Sequence, residues 1–140
     1  MLRIAICEKD QKQRTELLDY ISWDTDIEDD YVTECFDQVA DVKKRMDEND
    51  FHFDILFLML DSIGVDSLAL IQYIRERKFD VDVFFIADTV DFVSEAFRCR
   101  AFAYLVKPFD MRKFQYEMKQ YLKEKKDYQK EYLSVNVQGK

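Results

Sequence analysis

Glycine is nearly missing from this chain of 140 residues, with only Gly64 and Gly139 present, and proline and histidine occur once each, as Pro108 and His52. A nucleotide or flavin site on an open α/β sheet needs a Gly-rich turn, so that backbone N–H groups can approach phosphate. Two glycines cannot supply that cradle, and the segment where it would stand, Glu8-Lys9-Asp10-Gln11, is too acidic for a phosphate. His52 lies between Phe51 and Phe53, just ahead of an apolar run, and reads as a surface residue, not a ligand. No stretch of about 18 uncharged apolar residues occurs, so no membrane span is expected. The N-terminus reaches Glu8 without a basic region or a small-residue cleavage site, so no secretory signal is expected either. Cys7, Cys35 and Cys99 are odd in number, far apart, and set in or beside apolar runs. That is the pattern of reduced core thiols in a cytoplasmic protein.

What is present is a core. Hydrophobic residues make up 48% of the chain, with twelve Phe and eight Tyr, which is ample for a single domain. The net charge is −8 and unevenly spread: residues 1–109 carry 13 Lys/Arg against 24 Asp/Glu, residues 110–132 carry 7 against 5. A globular part this acidic repels nucleic-acid phosphates and is not itself a nucleic-acid reader. The acidic run over residues 24–30 reads as solvated loop. Apolar runs near 2–7, 31–36, 54–59, 81–86 and 102–106 predict strands, and segments near 11–22, 38–48, 66–77, 90–99 and 110–131 predict helices. Leu17, Leu18 and Ile21 share one side of the first helix, as Leu68, Ile71 and Ile74 do on the third. Helix-length connections in place of tight turns make the sheet parallel. An open parallel sheet places its chemistry at the C-terminal ends of its strands.

Three of those ends are informative. The first strand runs into Glu8-Lys9-Asp10, the third closes on Met59, and the fifth closes on Val106-Lys107-Pro108. An acid cluster, then a strand-end position, then Lys-Pro: this order resembles the receiver domain of bacterial two-component response regulators, over about residues 1–125. In that family an Asp opens the third strand, the phosphoacceptor Asp closes it, and an Asp-Gly pair opens the next helix. Here Asp54 lies five positions before Met59 and Asp66-Ser67 lie seven and eight after it, so Met59 holds the acceptor position. The resemblance implies a flavodoxin-like (βα)5 fold with strand order 2-1-3-4-5 and a pocket beside strands one and three. Glu8 matches the first member of the family's metal-holding acidic pair, Lys9 falls on the second, and Asp10 is one step beyond. Ala87 stands where the family has a Thr or Ser. Lys107 and Pro108 are kept, with a peptide bond between them that is commonly cis, and Tyr104 matches the family's switch aromatic.

These substitutions remove chemistry. An acyl phosphate needs a carboxylate nucleophile, a Mg²⁺ and a cation to neutralise the transferring oxygens. Mg²⁺ takes hard oxygen ligands. The pocket offers Glu8 and Asp10 but no acceptor carboxylate, and Lys9 competes with a metal for Glu8. The expectation is a phosphorylation-independent receiver, not an enzyme, without a cofactor and with Mg²⁺ binding lost or weak. Lys9 has two readings: its stem turns outward into solvent, or its ammonium fills the metal position beside Glu8 or Asp10. Two alternatives stay open for the whole chain. Asp61 or Asp54 could act as a surrogate acceptor, or the emptied pocket, made apolar by Met59 and Ala87, could bind a small ligand.

Beyond the pocket, Met111, Phe114, Met118, Tyr121, Lys125, Tyr128 and Tyr132 follow a 3-4 spacing, which predicts a long last helix ending as a partly exposed linker. Residues 132–140 then read as one strand, similar to the first strand of a LytTR-type DNA-binding domain, and residues 95–105 resemble the receivers that precede such domains. The resulting division is a receiver-like domain over 1–125, and over 126–140 a linker-helix end with the start of a following domain. DNA would be reached only through a domain beyond Lys140, and the chain would be the regulatory and dimerisation module of a transcription regulator. Its partners would be a second copy and other proteins, through a face of the fourth helix, fifth strand and fifth helix. Phe92, Phe97, Arg98, Arg100, Phe109 and Arg112 mark that face, being of the types enriched at interfaces. The competing reading has these Phe packed inward and the Arg solvated.

Overall fold

The computed structural model describes the backbone of residues 1–60 and 65–138, and side chains as far as residue 125. Strand and helix alternate five times: β1 (Leu2–Cys7), α1 (Gln11–Trp23), β2 (Tyr31–Phe36), α2 (Val39–Asp47), β3 (Ile55–Met59), α3 (Val65–Glu76), β4 (Asp82–Ala87), α4 (Val93–Arg98), β5 (Ala103–Val106) and α5 (Met111–Gln138). The strands are all parallel and ordered β2-β1-β3-β4-β5, the flavodoxin-like arrangement expected from the sequence. Alternation along the strands feeds two cores. Ile4, Ile6, Ile55, Phe57 and Phe84 face Leu17 and Ile21 of α1 and Phe114 and Met118 of α5. Ala5, Leu56, Leu58, Val83 and Phe85 face Val42 and Met46 of α2, Leu70 and Ile74 of α3, and Ala96 of α4. A sheet buried on both faces accounts for strands that read as unbroken apolar runs.

The helix ends show how a chain so poor in glycine turns corners. After α2, α3 and α4 the backbone enters the left-handed region at Asn49 (φ 55°), Lys78 (φ 59°) and Arg100 (φ 62°). The next N–H then reaches back into the helix: Asp50 N to Arg45 O at 2.9 Å, Phe79 N to Ile74 O at 3.0 Å, Ala101 N to Ala96 O at 3.1 Å. Glycine is the usual residue at such a cap. Arg75 of α3 supplies a tie the sequence reading did not anticipate. Its guanidinium donates to Cys99 O (2.9 Å), Val81 O (3.1 Å) and Arg100 O (3.1 Å). One side chain thus fixes α3, the end of α4 and the entry to β4 to one another. At the same end of the sheet Lys125 pairs with Asp82 at 2.8 Å, anchoring α5.

Two expectations are corrected. The fourth helix is shorter than the predicted 90–99, and the segment predicted as a strand over 132–140 is helix as far as Gln138, where α5 ends. A lone strand has no ladder to join, whereas a helix satisfies the same backbone groups within itself. No helix among the described residues is long and apolar enough to cross a membrane.

Candidate functional site

The C-terminal strand ends open into a groove of about 890 Å³ whose lining includes Glu8, Lys9, Asp10, Met59, Asp88 and Lys107. Five of the predicted pocket residues are therefore brought together. Ala87, the sixth, is buried at the end of β4, where its carbonyl accepts from the Lys107 N–H at 2.8 Å. Asp61 lies outside the described residues.

Glu8 follows β1 and is only 7% exposed. Its Oε1 accepts from the Asp10 N–H at 3.2 Å, and its carbonyl accepts from Arg14 Nε (2.9 Å) and Nη2 (2.5 Å). Arg14 also pairs with Asp37, so it pins the loop after β1 to the loop after β2. Burial raises the Glu8 carboxyl above its ordinary pKa, against the pull of the Lys107 ammonium and the Asp10 N–H. Cys7, next to it, is pushed up to about 12 by burial and by the Glu8 charge, which makes it an inert core thiol. Asp10 is drawn out of the pocket chemistry by the helix that follows: its Oδ1 caps α1 by accepting from Gln13 N at 3.0 Å. Lys9 is exposed, and no ion pair among the described residues involves it.

Met59 is half-buried at the end of β3, packed against the core under α1 and α5. Its carbonyl accepts from Ser67 Oγ of α3 at 2.9 Å, so the residue in the place of the family's Gly holds the strand end. Lys107 Nζ donates to the side-chain carbonyl of Gln13, tying β5 to α1. The Lys107–Pro108 bond is cis. Tyr104 is half-buried, and its hydroxyl donates to Thr89 O at 2.7 Å on the loop after β4. Gln13, Arg14, Ser67 and Asp88 were missed in the sequence. Only Gln13 had a signal there, since Asp10 with Gln13 three residues on has the spacing of a capping box.

Toward Mg²⁺ the residues after β1 and at the end of β3 offer few free oxygen donors. One carboxylate is buried with its pKa raised, the second is committed to a helix cap, and Met59 supplies no oxygen. Among the described residues no three His, Cys, Asp or Glu gather in a ligating arrangement.

Glu8 also sets a pH dependence. Its pKa is raised in the folded state, so the stability it contributes is fully present below the ordinary carboxylate value and is lost as pH rises through the raised one. Glu8→Gln keeps an acceptor for the Asp10 N–H and removes the buried charge. Thermal melts across a pH series are expected to show the variant more stable than the native chain at neutral pH, with the gain disappearing in acid. A gain that does not change with pH would contradict this account.

On the predicted association face, Phe97 is 47% exposed, and Arg98, Arg100 and Arg112 are exposed. Tyr116, not foreseen, is 57% exposed and shares a shallow groove with Phe97, Arg100 and Tyr104. Phe109 is half-buried: its ring meets Tyr20 of α1 at 6.0 Å between centroids, in the gap between α1 and the start of α5. Phe92 is likewise half-buried and packs partly against the core.

No protein-family model matches the sequence, and no curated protein matches it. Solved structures do. The response regulatory domain of protein mrkE from Klebsiella pneumoniae is 24% identical over 85% of this chain and 93% of that one, with a TM-score of 0.72. Response regulator protein TrrA from Thermotoga maritima, in complex with Mg(2+)-BeF, is 19% identical over 86% and 98%, with a TM-score of 0.68. NtrX from Brucella abortus, in complex with ADP, covers all of this chain with 30% of its own length, at 17% identity and a TM-score of 0.76. At these identities the likeness is one of fold, and the fold is that of response-regulator receiver domains.

Proposed function

We propose that this chain is a receiver domain that has given up phosphoryl transfer and works as a regulatory protein-interaction module. The observation carrying this reading is Met59, a thioether closing β3 inside a receiver fold where a carboxylate nucleophile would stand. Lys9, Ala87 and the capture of Lys107 by Gln13 support it, since each removes a partner that a phosphoryl group would need. Incubation with acetyl phosphate and Mg²⁺, followed by intact-mass measurement, is expected to show no added phosphoryl group. A stoichiometric adduct labile to hydroxylamine would overturn the reading and point to Asp61.

Without that trigger the α4–β5–α5 face is fixed in one state, and the chain self-associates there as a homodimer. Exposed Phe97 and Tyr116 supply apolar anchors. Arg100 shares their groove with Glu117 and Glu124, which lets a two-fold related copy meet opposite charge. The Tyr104 hydroxyl bound to Thr89 O supports a settled conformation of the same face. Sedimentation equilibrium is expected to show a dimer at micromolar concentration that Arg98→Glu with Arg100→Glu disrupts. A monomer, or a dimer indifferent to the double reversal, would count against this face. We place the module in the cytoplasm, as the regulatory part of a longer transcription regulator that reaches DNA through a further domain; the full gene sequence decides that.

A further inference from the structure

The groove does not stop at the strand ends. It continues between α2 and α3, past Val39, Ala40 and Lys43 on one side and Ala69, Leu70 and Tyr73 on the other. Ala40 and Ala69 are exposed and too small to close the gap, while Val39 and Leu70 give it an apolar floor. The charges around it are of unequal freedom. Lys43 already lies over the Tyr73 ring, 5.1 Å from its centroid, and Lys107 is bonded to Gln13. Asp66, Glu76 and Asp88 also line the groove, and no ion pair among the described residues involves them.

Asp66 and Glu76 stand near the two ends of α3, ten residues and so about 15 Å apart along the helix. In an extended peptide the first, third and fifth side chains point the same way and span about 13 Å. We propose that this groove receives an extended basic segment of a protein partner. Its first and fifth residues are Lys or Arg and meet Asp66 and Glu76, and an apolar third residue rests on Val39 and Leu70. The surface is separate from the α4–β5–α5 face, so the inference stands whether or not the chain dimerises there.

The probe is a fluorescein-labelled peptide, Gly-Arg-Ser-Leu-Ser-Arg-Gly, titrated with the full chain at low salt and read by fluorescence anisotropy. Saturable binding is expected, weakened about tenfold or more by Asp66→Lys or by Glu76→Lys, and abolished by Ala69→Arg, which fills the groove. Moving the Leu next to the first Arg puts it on the opposite side of the strand and should weaken binding likewise. Arg98→Glu should leave it unchanged. All the substituted positions are exposed, and matching melting temperatures verify that each variant is folded. Absence of saturable binding, equal binding of a peptide with Glu in place of Arg, or indifference to both charge reversals would overturn the proposal.

Discussion

Met59→Asp alone is expected to lower stability by about 2 kcal/mol and to yield no stable acyl phosphate, because it sets a second, half-buried carboxylate in the groove that holds Glu8. The Glu8 carboxyl is already raised by burial, so a neighbouring negative charge adds to a cost that is present before the substitution. One of the two Asp10 oxygens is already engaged in capping α1. Adding Lys9→Asp supplies a further oxygen donor and removes an ammonium from the rim. The double variant is expected to bind Mg²⁺ at least about tenfold more tightly than the single one and to regain stability when the metal is added. Calorimetric titration with Mg²⁺ and melts with and without it measure both effects. If the single variant binds Mg²⁺ as well as the double, Lys9 is not the obstacle.

Arg75→Ala is expected to cost about 3 kcal/mol, a large share of a domain's total stability. The wild-type guanidinium makes three charge-assisted bonds to main-chain carbonyls, at 2.9 to 3.1 Å. Truncation leaves those carbonyls in a partly buried corner without their donor. Arg75→Lys should recover less than half of the loss, since an ammonium cannot reproduce the planar fork. Denaturant unfolding gives the stability difference. Hydrogen exchange should localise the loosening to the end of α4 and the turn into β5. A lysine variant as stable as the native chain would show that the tie matters only through its charge.

The parts legible in the sequence were those written in local pattern. Strand runs such as Ile55–Met59, the place of Met59 at a strand end and the Lys107-Pro108 pair each depend on a few neighbouring residues. The parts that were not legible are side chains acting across long stretches of sequence. Arg75 reaches α4, Lys107 reaches Gln13, and Arg14 reaches Asp37, and nothing near each residue announces its target. Phe109 is a related case. Its identity fits an interface, but its surroundings are set by Tyr20 on a helix far away in the chain. The predicted strand over 132–140 rested on its local run of residues alone, and a local run cannot supply the partner that a strand needs.

The helix ends capped without glycine bear on how this molecule tolerates change. Lys78, like Asn49, holds a left-handed backbone, and a glycine at the Lys78 cap would relieve strain of about 1 kcal/mol before its own entropy is counted. The fold therefore stands with some of its possible stability unrealised, at positions outside the lining of the strand-end groove. Effects at distant sites with no shared partners add, so a harmful change in the groove can be compensated at a helix end without disturbing either neighbourhood. Robustness and chemistry are separable in this chain, and the strand-end pocket can go on changing while the scaffold absorbs the damage elsewhere.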